Sequence, residues 1–281
     1  MEGVKNMKIG LVPMSAKPYH AGHHMLVEMA AIADITDEVK NLQLPVNDEV
    51  IVFVSFSSRG VRKVKDPTDS RTLKQGARKI EVPKKGETPV FGSDMQYIWN
   101  NLLKPNLKLP SKVKIISPDD GASPAPVRSI HDVCEALKQA YESGQETFVV
   151  PFSGANAVVA DTTINIYSDS QDIKTNYSDA LMIKQYGELW NNESGPSIKG
   201  VGVLRTATVE VSGTKMRKYL CDGDLDSFSA LLPPLPDNVR REIAQILSDS
   251  AVCGLPMSKR TQQNESLLRS YIGLIINGYV F

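Results

Sequence analysis

Two periodicities of apolar positions run along this chain. Met7-Lys8-Ile9-Gly10-Leu11-Val12-Pro13 reads as an apolar strand, and His24 to Ala33 reads as a helix with Leu26, Met29, Ala30 and Ala33 at helical spacing. Glu49 to Phe56 is a near-continuous apolar run, the pattern of a strand covered on both faces of a parallel sheet. Val113 to Ile116 is a short third strand. Val127 to Tyr141 is a helix with Ile130, Val133, Cys134, Leu137 and Ala140 on one face, and it leads into a fourth strand over Thr147 to Phe152. A fifth strand is expected within Gly200 to Val209. This alternation predicts an α/β fold: a doubly wound, Rossmann-like, mainly parallel sheet with helices on both faces.

Ser93 to Leu103 reads as a capped helix in which Trp99 serves packing. The proline-rich stretch Leu231 to Pro236 closes the pattern, and helices follow over Val239 to Leu247 and Glu265 to Ile276. The expected organisation is a main domain over residues 1–230, carrying a basic insertion at about 59–92, and a C-terminal helical appendage over 231–281. That appendage would pack on the sheet or form a subunit contact, which leaves a homo-oligomer open.

Composition narrows the picture. A chain of 281 residues, 41% hydrophobic, can bury a large core. Lys+Arg and Asp+Glu both total 32, so no global field draws the protein onto nucleic acid or an anionic membrane, and any polyanion site must be local. One segment departs from this balance: Arg59 to Lys85 holds ten basic residues against Asp66, Asp69 and Glu81. It reads as a solvated insertion, in which Arg59, just past a core strand, is the one residue placed to reach a ligand. Cys134, Cys221 and Cys253 show no zinc-binding spacing and suit a reducing compartment. No signal-type segment and no run near the ~20 apolar residues of a membrane helix is present, so a cytoplasmic protein with no membrane partner is expected.

Two strand-to-helix turns carry the candidate chemistry. In Lys17-Pro18-Tyr19-His20-Ala21-Gly22-His23-His24, Gly22 lets the chain approach a ligand closely, and a helix start supplies unpaired N–H groups and partial positive charge. His20 and His23 add donors suited to phosphate. The bland alternative is that these histidines cap or pack an ordinary turn. In Val209-Glu210-Val211-Ser212-Gly213-Thr214-Lys215-Met216-Arg217, Ser212 is a natural N-cap. Lys215 and Arg217 oppose the helix dipole, a local conflict that a bound anion would resolve.

In order and spacing, from about Met7 to Asp226, these segments resemble the nucleotidyltransferase superfamily. Its members carry His-x-Gly-His near the amino terminus and Ser-[Ser/Gly/Thr]-Thr-x-x-Arg late in the domain. Ser-Gly-Thr-Lys-Met-Arg is also similar to the version in nucleotidyltransferase-like proteins of large tailed bacteriophages. Two departures stand out. Gly10 lies ten residues before His20 rather than about six, and Asn156 stands where a Gly-x-Asp aspartate is common after a core strand.

The resemblance implies in-line attack by an acceptor phosphate oxygen on the α-phosphorus of a nucleoside triphosphate, releasing pyrophosphate with Mg2+. It places His20 and His23 on the α- and β-phosphates. Ser212, Thr214 and Arg217 fall on the β- and γ-phosphates, Gly22, Gly213 and Asn156 among the nucleotide-binding residues, and Lys17 or Lys215 where transition-state charge builds. ATP is the expected nucleotide, with nicotinamide mononucleotide or another small phosphate ester as acceptor. The alternatives are cytidylyl transfer from CTP to a polyol or amino-alcohol phosphate, and a non-catalytic nucleotide-binding or virion-associated protein on the same fold. A bacteriophage protein would reside in the host cytoplasm or the virion.

Overall fold

The computed structural model describes residues 5–16, 18–32, 35–37, 42–203, 213–254 and 256–257. The chain begins with β1 (Lys5–Ser15), α1 (Ala21–Ile32), the short strands β2 (Ile35–Asp37) and β3 (Leu42–Leu44), β4 (Glu49–Ser55), β5 (Val61–Lys65) and β6 (Lys79–Pro83). There follow α2 (Gly92–Ile98), β7 (Val113–Ile116), α3 (Pro126–Glu142), β8 (Thr147–Val149), β9 (Asn156–Asp169), α4 (Ser170–Asn176) and α5 (Asp179–Tyr186). The last elements are β10 (Ser197–Val203), α6 (Gly213–Asp222), α7 (Leu225–Ala230) and α8 (Asp237–Cys253).

The chain divides into two compact units, Met1–Ser55 with Lys108–Val211, and Phe56–Leu107 with Ser212–Phe281. The second unit therefore takes in the segment that follows β4 as well as the tail, a division that differs from a main domain ending at 230.

The first unit is built on a sheet of order β10-β9-β1-β4-β7, and every pair along that path is parallel. From β1 the chain adds β4 and β7 on one side and then β9 and β10 on the other. This is the doubly wound, Rossmann-like arrangement, and the strand order reverses between β1 and β9. The fourth expected strand is corrected. β8 ends at Val149 and pairs antiparallel with the beginning of β9, Thr147 opposite Val158 and Val149 opposite Asn156, because a tight turn over 150–155 folds the chain straight back.

The seven residues of β4 are all buried, as a strand covered on both faces requires. Ile9 and Leu11 of β1 pack with Ile130, Val133, Cys134 and Leu137 of α3 on one face. Each such aliphatic side chain contributes about 1.5–3 kcal/mol of burial. The other face carries α1, whose buried residues are His24, Val27, Ala30 and Ala31; of the expected positions Ala30 is buried, Leu26 and Met29 are half-buried, and Ala33 lies outside the described residues. A polar lock fastens this side: Asn47 Nδ2 donates to the carbonyl of Ala30 (2.8 Å) and contacts the Tyr167 hydroxyl (2.8 Å), and Asn165 Nδ2 donates to Asn47 Oδ1 (2.8 Å). Gly10 makes room for it, since a Cβ there would lie 3.0 Å from Asn47 Nδ2.

In the second unit β5 and β6 form an antiparallel hairpin in which Val61 faces Pro83 and Lys65 faces Lys79. Helix α2 continues through a wider turn over Trp99–Leu103, and Trp99 is buried against Phe56, which agrees with a packing role. The carboxylate of Asp94, also buried, accepts from the Ser250 hydroxyl of α8 and from the Met257 amide (2.9 Å). The helix expected over Val239 to Leu247 is the middle of α8; the one expected over Glu265 to Ile276 lies outside the described residues.

Candidate functional site

The carboxyl ends of β1 and β9 flank the point where the strand order reverses, the place where open α/β sheets bind ligands. At the end of β1 the Ser15 and Ser55 hydroxyls lie 3.5 Å apart, and the chain then turns into α1. The His20 carbonyl accepts from the amides of His23 (2.9 Å) and His24 (3.1 Å), which makes His20 the N-cap. Its Nδ1 accepts the His23 amide over a long 3.4 Å. A neutral His20 accepting at Nδ1 carries its proton on Nε2. His20 is thus a capping residue, as the bland alternative held.

The rings form a column. Tyr19 stacks on His23 with centroids 5.7 Å apart, and His23 stacks on His20 at 3.8 Å and 17°. Gly22 borders this column: a Cβ would stand 3.2 Å from His20 Cε1 and Nδ1. Beneath it runs a chain of polar contacts absent from the expected site. The buried Tyr19 hydroxyl lies 3.3 Å from His24 Nδ1, and His24 Nε2 lies 3.5 Å from Glu28 Oε1 one helical turn on. Burial pushes the Tyr19 hydroxyl far above its ordinary range, and the Glu28 carboxylate adds to that. Burial holds the His24 imidazolium below its usual range against the opposing pull of Glu28. A neutral His24 accepting from Tyr19 at Nδ1 directs Nε2–H at Glu28, so the third histidine braces the tyrosine on which His23 lies.

Strand β9, missed in the sequence, brings Ser168 and Asp169 to the same edge of the sheet. The Asp169 carboxylate accepts from the amides of Gln171 (2.9 Å) and Asp172 (3.0 Å) and so caps α4. Asn156 opens β9 at the amino-terminal edge, where Ala157 pairs with Lys5, and is separated from Asp169 by on the order of 40 Å of strand. The residue that ends the core strand beside β1 is Asp169. The signal that could have located β9 is its Ile164, Ile166, Tyr167 core, hidden among Asp161, Thr162, Thr163 and Asn165.

The later motif belongs to the second unit. Gly213 opens α6, exposed Thr214 and Lys215 follow, and Arg217 Nη2 donates to the Thr214 hydroxyl at 3.1 Å. Partial burial, and then the neighbouring positive charge of Arg59, draw the Arg217 guanidinium below its ordinary range, while Glu87 opposes the shift. Arg59 itself is exposed and held by paired backbone bonds to Val90, 2.8 and 2.9 Å. Two guanidiniums within electrostatic reach of one helix start form a local cationic feature. Lys17 and Ser212 lie outside the described residues.

Magnesium fits poorly as a protein-held ion. It wants several hard oxygen ligands, whereas the edge of the sheet offers imidazoles, hydroxyls and a carboxylate already engaged as a cap. No cluster of three or more His, Cys, Asp or Glu among the described residues has metal-binding geometry. No helix among the described residues is long and apolar enough to cross a membrane. Neither a protein-family model nor a curated protein matches this sequence.

Proposed function

We propose that the protein is a nucleotidyltransferase that moves a nucleoside monophosphate, AMP from ATP in the first instance, to a small phosphorylated acceptor such as nicotinamide mononucleotide, with release of pyrophosphate. The observation that carries this reading is the stacked His20–His23 pair at the start of α1, on the carboxyl edge of β1 beside the reversal of strand order. An acceptor phosphate oxygen attacks the α-phosphorus, the α-phosphorus–oxygen bond to the leaving pyrophosphate breaks, and no covalent enzyme intermediate forms.

Such a reaction depends on alignment and on donors placed where charge develops. The amides of Ala21 and Gly22 lie in the first turn of a helix, where amides point along the axis with no partner inside the helix, and the histidine rings stand beside them. In this reading these groups hold the α- and β-phosphates. The resemblance assigns Lys17, Ser212, Gly213, Thr214, Lys215 and Arg217 to the remaining phosphates, and within the second unit Arg59 adds positive charge near Arg217. Magnesium, where present, would supply charge neutralisation to the triphosphate without a protein-held site.

The test is pyrophosphate release from ATP and from CTP over a panel of nicotinamide mononucleotide, polyol phosphates and amino-alcohol phosphates. Release with ATP supports the reading, and release with CTP alone reassigns the nucleotide. Binding of either nucleotide with no release across the panel would favour a non-catalytic nucleotide-binding protein.

A further inference from the structure

The β5–β6 hairpin sorts its side chains by face. By register Arg62, Val64, Ile80 and Val82 share one face, and three of these four, all but the exposed Arg62, are partly buried. Val61, Lys63 and Lys65 share the other face with Pro83, Glu81 and Lys79, and all three lysines are exposed. Lys65 stands directly opposite Lys79.

The nearby acids are committed elsewhere. Asp66 is buried, accepts from the Thr68 amide (2.9 Å) and hydroxyl (2.7 Å), and pairs with Arg78 at 3.6 Å. Asp69 takes a two-pronged contact from Arg71 and the Arg78 amide, which together hold its carboxyl far below the usual range; Lys65 adds a minor pull. Glu81 accepts from the Ser58 hydroxyl (2.5 Å), and Glu87 pairs with Lys84 at 3.6 Å. Among the described residues, Lys63, Lys65, Lys74, Lys79 and Lys85 form no ion pair.

Like charges directly opposed across a hairpin destabilise it. Lys63 stands opposite Glu81, whose carboxylate accepts from Ser58, whereas Lys65 and Lys79 oppose each other with no acid between them, more positive charge than the protection of an exposed edge requires. A row of three lysines on the exposed face of a chain with zero formal net charge is the footprint of a polyanion. A two-stranded ribbon fits the B-form major groove, whereas the A-form major groove is too narrow to admit it. The lysine face carries no Arg, Asn or Gln for two-pronged readout of a base, and lysine meets phosphate as a point charge.

We propose that this hairpin docks on duplex DNA through its phosphates, without sequence preference, using Lys63, Lys65 and Lys79. The proposal is independent of the transfer reaction. It is tested by fluorescence anisotropy of a mixed-sequence 25-base-pair duplex with the full chain between 50 and 200 mM salt. Three phosphate contacts predict a log–log salt slope of about −3. The triple variant Lys63→Gln, Lys65→Gln, Lys79→Gln is expected to weaken binding at least tenfold at 50 mM salt and to flatten the slope. Because a folding defect could mimic that loss, lysine acetylation of the unaltered protein is mapped with and without duplex, and protection is expected at those three positions. Equal affinity in a folded triple variant, protection elsewhere, or binding of heparin or an acidic peptide in place of duplex would each overturn the proposal.

Discussion

The imidazoles of His20 and His23 stack 3.8 Å apart, held at the start of α1 by the helix that His20 itself caps. Replacing His23 with Ala is expected to lower turnover by about 100- to 1000-fold, the usual cost of one transition-state donor. His20→Asn separates the two duties of that residue, because asparagine is a good cap but not a stacking partner. Its melting temperature should stay near that of the unaltered protein while pyrophosphate release falls. A variant at either position with full turnover would remove the pair from the chemistry.

Gly22→Ala sets local stability against site geometry. Alanine favours helix over glycine by about 0.8–1.0 kcal/mol in a helix interior, and less is expected in the first turn. The added Cβ would stand 3.2 Å from the buried His20 ring. Thermal melting should therefore be unchanged or raised, and turnover lowered. Loss of both together would show that the site tolerates the methyl less well than the backbone does.

Burial lowers the pKa of both His24 and His131 below the usual value of 6.5. The unfolded chain therefore takes up these protons before the folded one as pH falls. The stability due to the two neutral rings is present in full above about pH 6.5 and is lost progressively below it, at no more than about 1.4 kcal/mol per pH unit for each ring. Urea unfolding at pH 7.5 and 5.5 should show that loss, and His24→Asn should reduce it.

Arg59→Ala removes one of two like charges near the start of α6. Without nucleotide the variant should be as stable as the unaltered protein or slightly more so. With triphosphate present it should gain less in melting temperature, corresponding to affinity weakened by about 10- to 100-fold, the range for a charge-assisted hydrogen bond. Tyr19→Phe acts from inside the first unit: losing its hydroxyl contact with His24 should cost about 1 kcal/mol in denaturant unfolding.

Much of the fold was legible because its signals are local. β4 is an unbroken apolar run, and the face of α3 repeats at 3.6 residues. β9 was not legible, since Thr162 and Asn165 are polar yet buried. The Thr162 hydroxyl bonds the Val158 carbonyl, while Asn165 Nδ2 donates to Asn47, 118 positions away, a partnership no window of sequence can reveal. Asn156 opens this strand and Asp169 closes it, a span that the polar positions within it conceal. The histidine turn was readable because glycine and imidazoles sit side by side. The Tyr19–His24–Glu28 brace was not, because two adjacent histidines do not disclose which one turns inward.

Gly10 and Asn47 have a consequence for how this sequence can drift. A methyl group at position 10 would crowd the amide of Asn47, and with it would go the partners of Ala30, Tyr167 and Asn165. Enlarging residue 10 also meets Val50 Cγ2 at 3.2 Å, and shrinking residue 47 removes one hydrogen bond each from Ala30, Tyr167 and Asn165. The two positions are therefore epistatic, and lineages descending from this chain should exchange them as a pair or keep both.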